Sequence, residues 1–120
     1  MAFVNGWTKE KVREQVRKYN NGTRALTQDK LDDLVCTYQA PDGNRCFVGA
    51  FFPDDSPALK TNGPGYLIAA EYGLNSCLPL TSDALVAFQH SHDYAEGGDT
   101  YAALDRFLAT LDDEGNLKEV

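Results

Sequence analysis

The strongest structural signal in the chain is the stretch VCTYQAPDGNRCFVGAF, which spans residues 35–51. Two segments rich in apolar and β-prone residues flank Pro41-Asp42-Gly43-Asn44. Proline suits the first central position of a type I turn, and Gly43 supplies the left-handed residue that a G1 bulge requires. The stretch therefore predicts an antiparallel β-hairpin.

The turn also sets the register of this hairpin. The predicted opposite pairs are Ala40 with Asn44, Tyr38 with Cys46, and Cys36 with Val48. Because side chains alternate between the faces of a strand, one apolar face is predicted to carry Cys36, Tyr38, Cys46, Val48 and Ala50. The opposite face is predicted to carry Thr37, Gln39, Arg45 and Phe47.

A repeated sequence pattern predicts helix starts. In this pattern a threonine directly follows one apolar residue, and a second apolar residue comes four positions after the threonine. It occurs at Thr8, Thr27 and Thr81. The hydroxyl can accept a bond from a free helical N–H, and the two apolar residues can pack together across the first turn. With glycines as stop signals and Asp99 as a further N-cap, the predicted helices are 9–20, 28–34, 65–72, 82–94 and one that follows Asp99 and is ended by Gly115.

The order of these elements is helix, helix, hairpin and three helices. This order predicts an α+β fold, in which a small antiparallel β-hairpin sheet packs against four to five α-helices. A chain of 120 residues falls within the common size range of one domain. We therefore expect a single globular domain over residues 1–120.

Charge is distributed unevenly along the chain. Residues 1–30 carry a net charge of +4 and the remaining ninety carry −11, which gives the total of −7. An acidic body repels phosphate backbones, so we expect no direct nucleic-acid binding. The bases of the first helix are expected to lie against the acidic remainder of the chain.

Cysteine usage and hydropathy bear on the compartment. Three cysteines cannot form a complete set of disulfides, so reduced thiols and a cytoplasmic location are expected. No stretch approaches 18 consecutive apolar residues, and the first five residues lack a charged and an apolar signal region. Neither membrane binding nor secretion is expected.

The cysteines are the first candidates for chemistry. Cys36 and Cys46 are separated by nine residues across the hairpin, which is not the close spacing that zinc sites favour. Together with Cys77 and His92 they are capable of forming a Cys3His site, although nothing in the spacing requires one. Buried thiols behave as small apolar groups, so the prediction is no metal and no cofactor.

The histidines are the second candidates. His90 and His92 are two positions apart on a predicted helix, so they point to nearly opposite faces and cannot chelate one ion. An enzyme of this sequence would use His92, Asp93 and Cys36. However, Asp93 is expected to orient His92 poorly, because adjacent helical side chains diverge. The favoured interpretation of His92 is a hydrogen-bonded histidine in the core or at its rim.

Two short motifs resemble a family of small, uncharacterised proteins of bacteriophages and prophages. The first is Cys36-x-Tyr38-x7-Cys46-x-x-Gly49, followed by Pro53-Asp54. The second is a later Gln-x-x-His-Asp element, here Gln89-His90-Ser91-His92-Asp93, and a helix end similar to the family's is Glu71-Tyr72-Gly73-Leu74. The resemblance covers about two-thirds of the chain, which differs in its longer segment before Cys36. It implies a phage context and implies no catalytic residues.

Two classes of function follow from these observations. The first is a non-catalytic phage accessory protein that binds a host protein with a basic surface, as an inhibitor of a host defence or of a nucleic-acid-handling complex. Acidic residues in a long loop and near the C-terminus are the predicted partner contacts: Asp54, Asp55, Asp112, Asp113 and Glu114. The alternative is a small enzyme that uses His92 with a nearby cysteine or carboxylate.

Overall fold

The computed structural model describes residues 3–28, 34–61 and 65–116, and it describes only the backbone of residues 28, 34–36 and 82. The described residues form four α-helices: α1 (Lys9–Tyr19), α2 (Gly65–Glu71), α3 (Ser82–Asp93) and α4 (Thr100–Ala109). Two strands, β1 (Leu26–Gln28) and β2 (Leu34–Cys36), pair in antiparallel orientation. Short 3-10 helices occupy Gly49–Phe51, Pro57–Lys60, Asn75–Cys77 and Glu96–Gly98.

Four of the five predicted helices are confirmed. Those over 9–20, 65–72 and 82–94 end within one residue of the prediction, whereas α4 ends at Ala109, well before the predicted stop at Gly115. Thr8 caps α1, since its hydroxyl accepts a bond from the Lys11 N–H at 3.3 Å. Asp99 caps α4 by accepting from the Ala102 N–H at 3.0 Å. At the end of α2 the Leu74 N–H donates to the Ala69 carbonyl, and Gly73 takes the left-handed conformation that this C-cap needs.

The helix predicted for residues 28–34 is wrong at both of its ends. Thr27 is not a cap but a member of β1, where it lies opposite Val35. The Ala25 carbonyl accepts a bond from the Thr37 N–H, which extends the contact between the two segments. Residues 29–33, the middle of the predicted helix, lie outside the described residues. Pairing between distant segments has overridden a local helix signal here.

The α+β class is also wrong, because the described residues are mainly helical and the predicted hairpin sheet does not form. After Cys46 the chain turns into the 3-10 helix Gly49–Phe51, and its N–H groups donate to carbonyls three or four residues back. Val48 therefore does not face Cys36, whose partner is Leu26 of β1. Among the described residues, the pairing of β1 with β2 covers three residues in each strand.

Burial explains why the alternation of side chains between two faces gave a wrong prediction for the segment after Asn44. All residues from Asn44 to Phe52 are buried, including Arg45 and Phe47 on the face that alternation assigned to the polar side. A segment that is covered on every side has no solvent face, so alternation cannot define its conformation. The Phe47 ring stacks on Phe88 of α3 at 5.1 Å between centroids, in the centre of the core.

The turn of the predicted hairpin is confirmed. Ala40 and Asn44 are joined by a bond from the Ala40 N–H to the Asn44 carbonyl at 2.7 Å, and Gln39 bridges to Arg45. Gly43 has φ +91°, the left-handed conformation that the turn requires. The register is thus correct as far as Tyr38 and Cys46, where it ends.

The helices enclose one apolar core. Val12 and Val16 of α1 and Leu104 and Leu108 of α4 are buried in the same cluster as Phe88 of α3. Within the described part of the chain, every helix is too short or too polar to cross a bilayer.

Replacing Gly43 tests the turn. A Cβ on Gly43 would meet no atom within 4 Å, so only backbone strain opposes a substitution. We expect Gly43→Val to lower the free energy of unfolding by about 1–2 kcal/mol. Gly43→Asn should lose clearly less, since asparagine enters the left-handed region more readily. Denaturant unfolding measures both, and equal losses for the two variants would contradict this account of the turn.

Candidate functional site

The Cys-x-x-Gly element forms a tight corner against the backbone of Tyr38. The Sγ of Cys46 accepts a bond from the Gly49 N–H at 3.3 Å. A Cβ on Gly49 would lie 2.3 Å from the Tyr38 carbonyl oxygen, far inside van der Waals contact. Position 49 therefore requires glycine because of a close backbone approach, not because of its φ angle.

The Gln-x-x-His-Asp element places a buried imidazole beside a carboxylate. His92 is fully buried in α3. Its Nε2 accepts a bond from the Ala25 N–H at 3.0 Å, so that nitrogen must carry a lone pair. The neutral ring then carries its proton on Nδ1, which donates to Asp93 Oδ1 at 2.9 Å. The imidazole thus joins α3 to the segment that leads into β1.

Gln89 connects the same carboxylate to the Cys46 corner. Its Oε1 accepts a bond from the Val48 N–H at 3.1 Å, and its Nε2 donates to Asp93 Oδ1 at 2.9 Å. The two sequence motifs therefore meet in one place. We call this group of side chains the His92 cluster: Tyr38, Cys46, Gln89, His92 and Asp93.

Burial and the Asp93 charge make the acidic protons of this cluster hard to remove. Burial, together with the negative charge of Asp93, raises the pKa of the Cys46 thiol to about 12, although hydrogen bonds to the thiol act to lower it. Burial also raises the pKa of Tyr38 above its ordinary value, with added repulsion from Cys46 and Asp93. Both groups are neutral at physiological pH.

This arrangement determines what the His92 cluster can do chemically. A histidine that activates a thiol needs a ring nitrogen with a lone pair directed at that thiol. In His92 the only such nitrogen is occupied by the Ala25 N–H, and Cys46 keeps its proton. The geometry is that of a structural hydrogen-bond network in the core.

One expectation about this site is wrong. Asp93 was expected to be a poor partner for its neighbour, yet its carboxylate lies 2.9 Å from His92 Nδ1. Nδ1 lies close to the backbone of its own residue, so a short neighbouring carboxylate reaches it although the two Cβ atoms diverge. Cys36, the third residue of the enzyme hypothesis, lies in β2, and its side chain is outside the described part of the structure.

Of the two described cysteine side chains, Cys46 belongs to the His92 cluster and Cys77 does not. Cys46 and Cys77 are free thiols. Cys77 lies in the 3-10 helix Asn75–Cys77 and shares a surface cavity with Trp7 and Phe51. Among the residues that the structure describes, no three His, Cys, Asp or Glu side chains are placed to hold a metal ion.

The predicted partner contacts differ in their surroundings. Asp54 Oδ1 lies 3.0 Å from the buried Arg45 guanidinium, and Asp112 Oδ1 accepts bonds from the Glu114 and Asn116 N–H groups. The side chains of Asp55, Asp113 and Glu114 are exposed. Within the described ranges, no hydrogen bond or ion pair joins the 54–55 loop to the 112–114 turn.

Sequence reasoning missed two buried polar residues that hold loops. Arg45 donates to the Phe52 carbonyl at 3.1 Å and lies 4.3 Å from the centre of the Tyr19 ring. Asn20 donates to the carbonyls of Thr23 and Arg45. The signal available for Asn20 is its place at the C-cap of α1, two residues before Gly22.

Comparison of the chain with protein-family models, with curated proteins and with solved structures found no significant match.

The two histidines of α3 form a matched pair of test positions. His92→Ala removes the acceptor of a buried N–H and leaves a cavity, so we expect a loss of about 3 kcal/mol or more in the free energy of unfolding. His90→Ala changes an exposed side chain on the same helix and should stay within about 0.5 kcal/mol of the wild type. Chemical denaturation of both variants makes the comparison. Similar losses would show that His92 does not bridge the two segments.

Thiol alkylation tests the state of Cys46. A thiol with a pKa near 12 is ionised in about one molecule in ten thousand at pH 8. We expect iodoacetamide to modify the half-buried Cys77 in the native protein and to reach Cys46 only in denaturant. Peptide mapping by mass spectrometry separates the two sites. Native alkylation of Cys46 at the rate of Cys77 would contradict its protonated, enclosed state.

Proposed function

We propose that this chain is a non-catalytic accessory protein that acts by binding another protein with a basic surface. The sequence resemblance implies a phage context, in which the partner is a cytoplasmic host protein. This partner is, for example, a component of a defence or nucleic-acid-handling complex, and the chain inhibits it. The observation that carries the proposal is the way in which the fold uses its basic residues.

Basic residues of the N-terminal region are engaged within the molecule. Arg13 and Arg17 both pair with Asp105 of α4, at 3.1 and 3.4 Å. Lys9 donates to the Leu111 carbonyl, and Arg24 donates to the Ala95 carbonyl at 3.1 Å. These contacts direct positive charge toward the acidic remainder, as the sequence predicts. The chain as a whole carries a net charge of −7, which favours association with a basic surface.

Exposed acids provide the contacts for such a partner. Asp55, Asp113 and Glu114 make no ion pair among the described residues, so their charge is available to a basic surface. Asp54 and Asp112 also add negative charge, but they hold Arg45 and the 112–116 turn. A test of binding should therefore leave these two residues unchanged.

The alternative function, a small enzyme built on His92, lacks support from the site. Its general base would be an imidazole whose lone pair already accepts the Ala25 N–H, and the described thiol nearest in the network, Cys46, is protonated. The geometry favours binding over catalysis for this reason.

Affinity purification from a bacterial lysate tests the proposed function. The baits are the wild type, the variant Asp55→Asn/Asp113→Asn/Glu114→Gln, and the control Glu10→Gln/Glu14→Gln/Glu71→Gln, which removes the same charge from other exposed sites. We expect the wild type and the control to retain the same protein at low salt. Recovery should fall several-fold with the first variant and with salt, because electrostatic attraction is screened over about 10 Å at 0.1 M.

Two results would contradict the proposal. One is that cross-linked cells yield no protein enriched by the wild-type bait over an empty support. The other is a partner whose recovery changes neither with salt nor with the loss of Asp55, Asp113 and Glu114.

A further inference from the structure

A cavity of about 430 Å³ lies where the turn at residues 4–7, the first turn of α1 and two of the 3-10 helices meet. We call it the Trp7 cavity, and its lining includes Trp7, Lys11, Phe51, Ser76 and Cys77. The volume falls near the lower end of the roughly 300–1,000 Å³ range of ligand sites, so the cavity suits a small molecule.

Two aromatic side chains form the apolar part of this lining. The rings of Trp7 and Phe51 pack edge to face, with 4.7 Å between their centroids and 83° between their planes. Phe51 is buried, whereas Trp7 is half-buried and lines the cavity, so part of the indole surface remains open to a ligand. Aromatic rings gain from edge-to-face and offset-stacked contact with one another. The lining therefore favours a ligand with an aromatic ring.

Charge at the cavity is positive. Lys11 is the only charged residue among the described residues that line it. The ammonium group of Lys11 makes no hydrogen bond or ion pair with the described part of the chain. Other bases of the N-terminal region are engaged within the molecule, as shown above for Lys9, Arg13, Arg17 and Arg24. Lys11 is thus available to bind an anion.

Two further donors at the cavity have no partner among the described residues. They are the N–H of Gly6 and the hydroxyl of Ser76. The side chain of Asn5 holds both in place, because its Nδ2 donates to the carbonyls of Asn75 and Leu78 at 3.1 and 2.9 Å. A carboxylate has two acceptor oxygens, so it can bind the ammonium group and one of these donors together.

We propose that the Trp7 cavity binds a small molecule that carries an aromatic ring and a carboxylate. The ring packs on Trp7 and Phe51, and the carboxylate accepts hydrogen bonds from Lys11. The net charge of −7 opposes anions at long range, so these local contacts select the ligand. The site is separate from the proposed partner binding, because none of the acidic partner contacts lines the cavity.

Fluorescence follows binding directly, because Trp7 is the only tryptophan of the chain. The probes are phenylacetate, phenylacetamide and acetate, each titrated at constant ionic strength. We expect phenylacetate to change the Trp7 emission in a saturable way. Phenylacetamide keeps the ring and loses the charge, so it should bind about tenfold more weakly. Acetate keeps the charge and lacks the ring, and it should also bind about tenfold more weakly.

Alkylation of Cys77 gives a second readout that does not depend on emission. A ligand in the cavity covers the thiol, so saturating phenylacetate should slow the reaction of Cys77 with iodoacetamide several-fold. Phenylacetamide at the same concentration should slow it clearly less. In denaturant phenylacetate should have no effect on the rate, which serves as the control for a direct effect on the reagent.

Two exposed lysines of α1 provide matched variants. Lys11→Gln should weaken binding of phenylacetate about tenfold and leave phenylacetamide unchanged, because only the carboxylate uses the ammonium group. Lys18→Gln removes the same charge at a position that does not line the cavity, so it should change neither. Neither lysine forms an ion pair among the described residues, and both variants are expected to fold.

Four results would overturn the inference. Equal binding of phenylacetate and phenylacetamide, or equal effects of the two lysine variants, would remove the charge recognition. Acetate that binds as tightly as phenylacetate would remove the aromatic contact and indicate a general anion site. If phenylacetate changes neither the Trp7 emission nor the alkylation rate of Cys77, the cavity does not bind this class of ligand.

Discussion

The imidazole of His92 supplies the bond on which the arrangement of the surrounding segments depends. It accepts the Ala25 N–H on one side and donates to Asp93 on the other, inside a core that leaves the ring no contact with solvent. The His92 ring also packs edge-on against Phe47, with 5.3 Å between the ring centroids. A single side chain therefore fixes α3, the approach to β1 and the 46–51 segment relative to one another.

Side chains also supply hydrogen-bond partners to the backbone groups of other buried loops. Much of this molecule consists of loops and 3-10 turns, which cannot satisfy their N–H and C=O groups through a sheet. Side chains bond to these groups instead. Gln89 accepts a bond from the Val48 N–H, Arg45 donates to the Phe52 carbonyl, and Asn20 donates to the Thr23 carbonyl in the turn after α1. Among the described residues, no buried side-chain nitrogen or oxygen is left without a hydrogen-bond partner.

Local signals in the sequence were sufficient for features that depend on local physics. The caps at Thr8 and Asp99 and the left-handed Gly43 need only neighbouring residues, so they could be predicted. The segment from Cys46 to Phe52 could not, because it is enclosed on all sides and its conformation depends on contacts with α3. Thr27 lies in a sequence pattern typical of a helix start, but in the structure it pairs with Val35 in the strands. Local sequence patterns do not predict that pairing.

The candidate site also has some features that the local sequence predicts and others that it does not. His92 could be assigned to the apolar face of α3 from its spacing to Leu85 and Phe88, and it is buried there. Its bond to the Ala25 N–H could not be foreseen, because the two residues are 67 positions apart. That bond occupies the lone pair that general-base catalysis by His92 would need, and it is visible only in three dimensions.

The most direct test of this account is the protonation pattern of the His92 ring, measured by long-range proton–nitrogen NMR correlation at neutral pH. The account predicts a neutral ring with its proton on Nδ1 and an unprotonated Nε2, and with a Cε1–H that correlates with both nitrogens. A ring protonated on Nε2, or one that carries both protons, would contradict it, because Nε2 could then not accept the Ala25 N–H.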